Sequence, residues 1–209
     1  MLRYLLCLLL VTTACAGPER WEVEVAAFEK ETPRPGGILF TGSSSIRLWK
    51  SLVQDFPGHQ VIGRGIGGSQ IPDHIFYVDR VIIPQAPRQI VFYCGGNDIN
   101  ARRTPENVAA DTKTLVEAVR AKLPEVQWLI IGIAANPARW KSREQILAAN
   151  ALVAEYCRSM PGMQFLDVFP HMLGGDGQPR PELFVADRLH MNAEGYRLWT
   201  GLVTPLLME

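Results

Sequence analysis

The sequence predicts a single α/β domain built on a parallel β-sheet. Short runs of β-branched and aromatic residues recur along the chain, and amphipathic helical patterns lie between them. The five runs are 38–41, 61–62, 90–93, 128–133 and 165–168. They are continuously apolar rather than alternating, as strands buried on both faces are. No internal repeat or low-complexity linker interrupts them, so one domain spanning residues 17–209 is predicted.

Three helical patterns have recognisable ends. The first begins at Thr104, a good N-cap followed by proline, and ends before Pro124. The second opens with the capping-box pattern of residues 142–145 and runs to about Met160. The third begins at Asn192 and carries an apolar stripe typical of a helix that faces the core. The stripe consists of Tyr196, Trp199, Val203 and Leu206.

Composition and charge exclude several classes of protein. The chain has 209 residues, of which 47% are hydrophobic and 20% charged, a composition typical of a globular domain. Its 21 Lys and Arg residues balance 21 Asp and Glu residues, and no strongly basic or acidic segment occurs. This balance argues against nucleic acid or an anionic membrane surface as the main partner. We expect a small-molecule partner, and the sequence leaves the oligomeric state open.

The first sixteen residues have the pattern of an export signal. Arg3 precedes an apolar run over residues 4–11, which is too short to span a bilayer, and small residues follow the run. Two processing sites fit this pattern. Cleavage after Ala16 would release a secreted or periplasmic protein. Cleavage before Cys15, with lipid attached to its sulfur, resembles a bacterial lipobox and would give a periplasmic or outer-membrane lipoprotein.

Cys7 would be removed with the signal and Cys15 either removed or lipidated, so the thiols left in the mature chain would be those of Cys94 and Cys157. Cys94 ends an apolar run and Cys157 lies in a predicted helix, so two buried free thiols are favoured over the disulfide that export would permit. The chain contains no C-x-x-C, no H-E-x-x-H and no Cys/His cluster. The sequence therefore predicts neither a metal site nor a cofactor.

Glycine-rich and serine-rich segments follow the first three predicted strands. They are residues 42–45, 63–69 and 95–98. In parallel sheets the ligand site lies beyond the carboxyl ends of the strands, at a point where the strand order reverses. If the first and third strands flank this point, Ser44 and Asn97 leave the sheet side by side, and Gly68 follows the next strand over.

The segment at 63–68 also matches the dinucleotide-binding pattern G-x-G-x-x-G. A dinucleotide site requires an acidic residue about twenty positions later. No acidic residue lies between Asp79 and Asp98, so this interpretation fails. We interpret the glycines as residues that let backbone N–H groups face a ligand.

Acyl transfer requires a hydroxyl nucleophile, an imidazole base, an acid that orients the imidazole and donors for the developing oxyanion. The chain supplies candidates for each of these groups. Of its four histidines, only His190 follows an acidic residue, Asp187, by three positions in a predicted loop. The nucleophile elbow G-x-S-x-G of α/β-hydrolases is absent, because Ile46 occupies the position of its second glycine.

In four blocks the sequence resembles the SGNH hydrolases, also called GDSL-type esterases and lipases. The blocks are Gly42-Ser43-Ser44, Ile66-Gly67-Gly68-Ser69, Gly95-Gly96-Asn97-Asp98 and Asp187-Arg188-Leu189-His190. The resemblance covers the mature chain. It implies a three-layer, flavodoxin-like sandwich with strand order 2-1-3-4-5, and ester hydrolysis without a metal.

The resemblance also implies roles for individual residues. Ser44 would be the nucleophile, His190 the general base and acid, and Asp187 the residue that orients His190. The N–H groups of Ser44 and Gly68 and the side-chain amide of Asn97 would form the oxyanion hole. Ser43 stands where the family's name motif has Asp, a departure expected to affect the rigidity of the turn more than the chemistry.

The substrate is the least determined feature. Short loops and the absence of a lid-like insertion favour small acyl or acetyl groups. Four residues near the predicted site are candidates for lining the pocket, although core packing or solvent exposure would explain them equally well. They are Arg47, Trp49, Arg139 and Trp140. The main prediction is a serine esterase; the alternatives are a non-catalytic ligand-binding lipoprotein on the same fold and an acyltransferase.

Overall fold

The computed structural model describes residues 17–209, and the predicted export signal lies outside them. The described chain contains a five-stranded parallel sheet with the order β2-β1-β3-β4-β5. The strands are β1 (Ile38–Gly42), β2 (Val61–Gly65), β3 (Gln89–Tyr93), β4 (Gln127–Ile131) and β5 (Met163–Leu166). The predicted α/β class and the order 2-1-3-4-5 are confirmed.

Helices surround this sheet. In residues 17–209 the α-helices are α1 (Glu22–Glu29), α2 (Ser44–Arg47), α3 (Leu52–Asp55), α4 (Ile71–Phe76), α5 (Val78–Val81), α6 (Gly96–Asn100), α7 (Pro105–Arg120), α8 (Arg143–Ser159) and α9 (Ala193–Val203). Every residue of β1 and β3 is buried, which explains their uninterrupted apolar sequences. None of these helices is long and apolar enough to cross a membrane.

The helix ends test the capping predictions. The side chains of Thr104 and Asn107 accept hydrogen bonds from each other's backbone N–H groups, forming a capping box at α7. The side chain of Asn192 accepts from two N–H groups in the first turn of α9, at 2.9 and 3.2 Å. Ser142 occupies the predicted N-cap position of α8, but the predicted capping box is wrong, because the Ser142 side chain makes no capping hydrogen bond. The 3₁₀-helix Pro137–Ser142 runs directly into α8, so Ser142 does not begin a helix after extended chain.

Several predicted boundaries also differ from the structure, and β2 extends to Gly65 rather than ending at residue 62. β4 ends at Ile131 although the apolar run continues to Ile133. The side chain of Asn150 in α8 replaces a neighbouring strand there, since it accepts from the N–H of Ile133 at 2.8 Å and donates to its carbonyl at 3.0 Å. β5 spans Met163–Leu166 rather than 165–168, and Leu206 lies in a short 3₁₀-helix beyond α9.

Two features of the interior agree with the sequence analysis. Cys94 and Cys157 are buried free thiols, as predicted. Tyr196, Trp199 and Val203 are buried on the inward face of α9. This face packs against Trp49, which lies 5.1 Å from Tyr196 and 6.1 Å from Trp199 between ring centroids.

The strand register brings three chain segments to one edge of the sheet. Gly42, the last residue of β1, pairs with Gly65 of β2 on one side and with Tyr93 of β3 on the other. Gly42 has φ +136°, and a Cβ atom there would lie 2.0 Å from the carbonyl oxygen of Tyr93. Only glycine can therefore make this exit from β1. The segments after β1, β2 and β3 begin side by side.

Candidate active site

Ser44 is the first residue of α2, immediately after the turn that leaves β1. The turn is held by the backbone of Ser43, whose N–H donates to the carbonyl of Tyr93 at 2.9 Å and whose carbonyl accepts from Ile46 at 3.1 Å. The Ser43 side chain makes no capping hydrogen bond. The turn therefore does not depend on the side chain at the position where the resemblance expects Asp.

Ser44, His190 and Asp187 form a continuous chain of hydrogen bonds. The Oγ atom of Ser44 lies 2.9 Å from Nε2 of His190. The Nδ1 atom of the same ring lies 2.6 Å from Oδ2 of Asp187. An ionised carboxylate only accepts hydrogen bonds, so Nδ1 carries the proton and Nε2 is free to accept from the serine hydroxyl. The imidazole is therefore in the tautomer that a general base requires.

The loop that carries Asp187 folds around its own carboxylate. Oδ1 of Asp187 accepts from the backbone N–H groups of Leu189 and His190, both at 2.9 Å. Together with the hydrogen bond from the His190 ring, these contacts lower the pKa of Asp187 to about 2. Arg188 makes the turn with φ +59°. One carboxylate thus shapes the loop and orients the imidazole.

Helix α9 holds this loop beside α2. The side chain of Asn192, the N-cap of α9, donates to the carbonyls of Glu182 and Phe184 at 2.8 and 3.2 Å. The hydroxyl of Tyr196 donates to the carbonyl of Ser45 at 2.9 Å. Helix α9 thus contacts both the segment before His190 and the residue after Ser44, although Ser44 and His190 lie 146 positions apart in the sequence.

The glycine segment after β2 lies beside Ser44. Gly68 has φ +78°, and a Cβ atom there would lie 3.3 Å from the ring of Trp21. A Cβ atom on Gly67 would lie 2.6 Å from Nε of Arg47. Within residues 17–209, the N–H groups of Ser44 and Gly68 donate no backbone hydrogen bond. Both therefore remain candidates for the oxyanion hole.

Asn97, at the start of α6, lies between a hydrogen-bond acceptor and a hydrogen-bond donor. Its Nδ2 donates to the carbonyl of Ser69 at 2.9 Å, which joins the segments after β2 and β3. Its Oδ1 accepts from Nη2 of Arg139 at 2.7 Å. Because an amide nitrogen has two N–H groups, the second remains available to another acceptor.

Ser69 and His74 form a second serine–histidine pair, which the sequence analysis missed. Both are buried, and Nε2 of His74 lies 2.8 Å from Oγ of Ser69. The Ser69 hydroxyl donates to the carbonyl of Ile66 at 2.9 Å, so the ring must donate to Ser69 rather than accept from it. The pair fixes the residue whose carbonyl holds Asn97. Nothing in the local sequence distinguishes it from an ordinary helix start.

A small cavity of about 20 Å³ opens between Ser44 and His190. Its walls are of mixed polarity and come from the segments after β3 and β4 and from the loops around His190. The lining residues include Tyr93, Ile133, Met172, Phe184, Met191 and Trp199, together with the polar Asn136 and Arg139. A cavity of this size has room for about one water molecule or a group of similar size.

The four candidate pocket residues have different environments. Arg139 lines the cavity. Trp49 is a core residue whose indole donates to Asp55 at 2.6 Å. Trp140 stacks on Phe169 with ring centroids 6.0 Å apart. Arg47 covers Gly67 and lies on the surface, 3.8 Å from a carboxylate of α1.

All five site residues predicted from sequence lie at one edge of the sheet. Ser44, Asp187 and His190 are hydrogen-bonded to one another, and Gly68 and Asn97 belong to the adjoining segments, which Ser69 connects. The described residues contain no group of three or more His, Cys, Asp or Glu side chains placed to hold a metal ion.

Comparison with known proteins identifies the family. The model of the GDSL-like Lipase/Acylhydrolase family matches residues 34–198, a range that contains all four sequence blocks. The chain belongs to this family. The resemblance to GDSL-type hydrolases is therefore confirmed.

Individual relatives are more distant. The human platelet-activating factor acetylhydrolase IB subunit alpha2 is 24% identical over 207 residues, covering 92% of this chain and 86% of the relative. A GDSL-like lipase from Bacteroides thetaiotaomicron has a similar structure, with a TM-score of 0.72 at 19% identity, over 91% of this chain and 96% of that one. A carbohydrate esterase family 3 structure from Talaromyces cellulolyticus has a TM-score of 0.64 at 16% identity, over 82% and 95% of the two chains. These structures share the fold.

Proposed function

We propose that this protein is a serine esterase that hydrolyses carboxylic esters with small acyl groups through an acyl-enzyme on Ser44. One observation carries the proposal: Ser44, His190 and Asp187 form an unbroken hydrogen-bond relay at the mouth of a small cavity. A hydroxyl activated by an oriented imidazole is the arrangement that acyl transfer requires.

In the first half-reaction, Oγ of Ser44 attacks the ester carbonyl as Nε2 of His190 takes its proton. The carboxylate of Asp187 stabilises the imidazolium that results, since it already accepts the Nδ1 proton. The proton then passes from Nε2 to the departing alkoxide. The alcohol leaves, and the acyl group remains bound to Ser44.

The negative charge on the carbonyl oxygen needs donors that are already in place. The N–H groups of Ser44 and Gly68 and the second N–H of Asn97 are the candidates, because each lacks another acceptor within the described residues. In the second half-reaction His190 takes a proton from water, and the hydroxide attacks the acyl carbonyl through the same oxyanion. Collapse of this intermediate releases the acid and returns the proton to Ser44.

The cavity limits the size of the acyl group. At about 20 Å³ beside Ser44, it fits a methyl or similarly small group better than a long chain. One relative carries a name consistent with this preference, the human platelet-activating factor acetylhydrolase subunit. We therefore place acetyl esters first among the substrates to be tried.

The decisive experiment is intact-mass analysis after treatment with a fluorophosphonate, which labels an activated serine without presupposing the substrate. We expect one adduct on the native protein, on Ser43→Ala and on Ser45→Ala, and none on Ser44→Ala. The two neighbouring serines are matched controls, since they lie in the same turn. Absence of label from all four proteins would contradict the proposal, and label on Ser44→Ala would assign the nucleophile to another residue.

We also propose that the protein is exported, on the sequence pattern of residues 1–16. Intact mass of protein from a bacterial host separates the two processing sites. Loss of residues 1–16 indicates simple secretion, whereas an N-terminal Cys15 with the mass of attached lipid indicates a lipoprotein. An uncleaved N-terminus would contradict export.

A further inference from the structure

Arg139 is a charged residue of the cavity without a charged partner. Its guanidinium donates to Oδ1 of Asn97 at 2.7 Å and packs against Gly96, where a Cβ atom would lie 3.0 Å from Nη1. Among the described residues, no carboxylate is one of the groups that shift the pKa of Arg139. Its burial beside the site lowers the pKa of Arg139, yet a guanidinium stays protonated in proteins. The charge therefore acts on the amide of Asn97.

We propose that Arg139 is a positioning residue of the oxyanion hole, which fixes the Asn97 amide so that its second N–H faces the substrate oxygen. The inference rests on the proposed esterase function. Arg139 itself does not touch the reacting atoms in this proposal; it acts through Asn97.

The partners of Asn97 allow one amide orientation. The Ser69 carbonyl only accepts hydrogen bonds and the guanidinium only donates them. Exchanging Oδ1 and Nδ2 would place two oxygens together on one side and two donors on the other. Loss of Arg139 would remove one of the two hydrogen bonds that fix the amide orientation. The positive charge beside Oδ1 also polarises the amide and makes its N–H groups stronger donors.

Arg139 is held by the same elements that hold the relay. Its backbone N–H donates to Oδ1 of the buried Asn136 at 2.9 Å. The preceding residue, Ala138, donates to the carbonyl of Arg188 at 3.1 Å, and Arg188 lies between Asp187 and His190. The segment after β4 is thus joined both to the oxyanion side and to the imidazole side of the site.

A double-mutant cycle between positions 139 and 97 tests the proposal. Arg139→Met removes the donor and the charge, Arg139→Gln retains a neutral N–H donor, and Arg143→Met is the matched control. Arg143 lies in the following helix, is exposed, and contacts the ring of Trp140. Each substitution is made in the native chain and in Asn97→Ala, and kcat and KM are measured with an uncharged acetyl ester.

We expect Arg139→Met to lower kcat by roughly tenfold or more, but by less than the ~10²–10³-fold loss expected for Asn97→Ala. KM should change little, because the hydrogen bonds of the oxyanion hole are stronger to the charged oxygen of the transition state than to the neutral ester carbonyl. Arg139→Gln should recover part of the loss, and Arg143→Met should match the native protein. In the Asn97→Ala background, Arg139→Met should change kcat by less than about twofold.

Two results would overturn the role of Arg139 while leaving the esterase intact. One is an unchanged kcat in Arg139→Met. The other is a loss of kcat of the same size in the native and the Asn97→Ala backgrounds. A rise in KM that appears only with anionic esters would likewise overturn it, since Arg139 would then bind a substrate anion. Absence of turnover and of fluorophosphonate label in the native protein would instead overturn the esterase proposal, and this role with it.

Discussion

The molecule contains two serine–histidine pairs of nearly equal length and opposite character. Nε2 of His190 lies 2.9 Å from Oγ of Ser44, and Nε2 of His74 lies 2.8 Å from Oγ of Ser69. The first pair borders the cavity, and its Nδ1 atom contacts Asp187. The second pair is fully buried, and Nδ1 of His74 has no hydrogen-bond partner among the described residues.

The difference means that the distance between a serine and a histidine does not by itself decide whether the imidazole can accept the hydroxyl proton. At Ser44 the carboxylate of Asp187 fixes the proton on Nδ1, so Nε2 accepts from the hydroxyl. At Ser69 the hydroxyl already donates to Ile66, so Nε2 of His74 must donate. In each pair a third group sets the direction of the hydrogen bond. His190 is therefore a candidate general base, whereas His74 has a structural role.

The largest expected effect separates the two serines. We expect Ser44→Ala to lower kcat for an acetyl ester by roughly 10⁴-fold or more while changing the free energy of unfolding by less than about 0.5 kcal/mol. Ser69→Ala should lower kcat by less than about tenfold but destabilise the protein by roughly 1–3 kcal/mol, because it leaves the N–H of His74 without an acceptor. Steady-state kinetics and urea denaturation measure both. Equal losses of kcat in the two variants would remove the distinction.

A second comparison concerns the acidic residues near the two histidines. Asp187→Asn should lower kcat by roughly 10²–10⁴-fold, because a neutral amide no longer enforces the proton on Nδ1 or stabilises the imidazolium. Asp73→Asn is the matched control, since Asp73 precedes His74 but accepts from the N–H of Gln70 and pairs with Arg20. Its kcat should stay within about threefold of native. A comparable loss in Asp73→Asn would show that the buried pair also takes part in the reaction.

The smallest expected effect is on stability and its dependence on pH. Burial lowers the pKa of His74 from 6.5 to about 4, so the folded state disfavours the protonated ring. The free energy of unfolding therefore falls as the pH drops from 6.5 toward 4, because in this range the unfolded state binds a proton on His74 and the folded state does not. Burial raises the pKa of Asp98 from 3.8 to about 6. The folded state therefore binds this proton more tightly, and the Asp98 contribution to the free energy of unfolding falls as the pH rises from 3.8 to about 6.

His74→Gln isolates the histidine contribution, because Asp98 is common to both proteins. Between pH 7.5 and 4.5 the native protein should lose on the order of 2 kcal/mol more of its unfolding free energy than the variant. Urea denaturation at the two pH values measures this difference. A constant gap between the two proteins would show that His74 is not kept neutral by burial.

Much of the fold was predictable because its signals are local. The continuous apolar runs fix which segments become buried strands, and Thr104 and Asn192 form the caps that their positions predict. The failures have tertiary causes. Ser142 makes no capping hydrogen bond because the preceding 3₁₀-helix continues into α8, and the run to Ile133 leaves the sheet because Asn150 satisfies its backbone.

The proximity of Ser44, Gly68 and Asn97 followed from the rule that parallel strands end at one edge, whereas the roles of these residues and of Asp187 and His190 came from the resemblance to the SGNH hydrolases. That rule brings Ser44, Gly68 and Asn97 together once β1 lies between β2 and β3. It does not give the direction of side chains. The contact of Arg139 with Asn97 and the pairing of His74 with Ser69 depend on side-chain orientation across separate segments, and no spacing in the sequence encodes them.

The sequence by itself determined the class of fold, the free state of the two buried cysteines and the residues available for acyl transfer. These follow from hydrophobic periodicity, capping preferences and residue chemistry, which are properties of neighbouring positions. Only the tertiary structure decided which serine faces an accepting imidazole, how small the adjoining cavity is, and which arginine fixes the Asn97 amide. Those outcomes depend on distances between residues far apart in the chain, which packing of the complete domain sets.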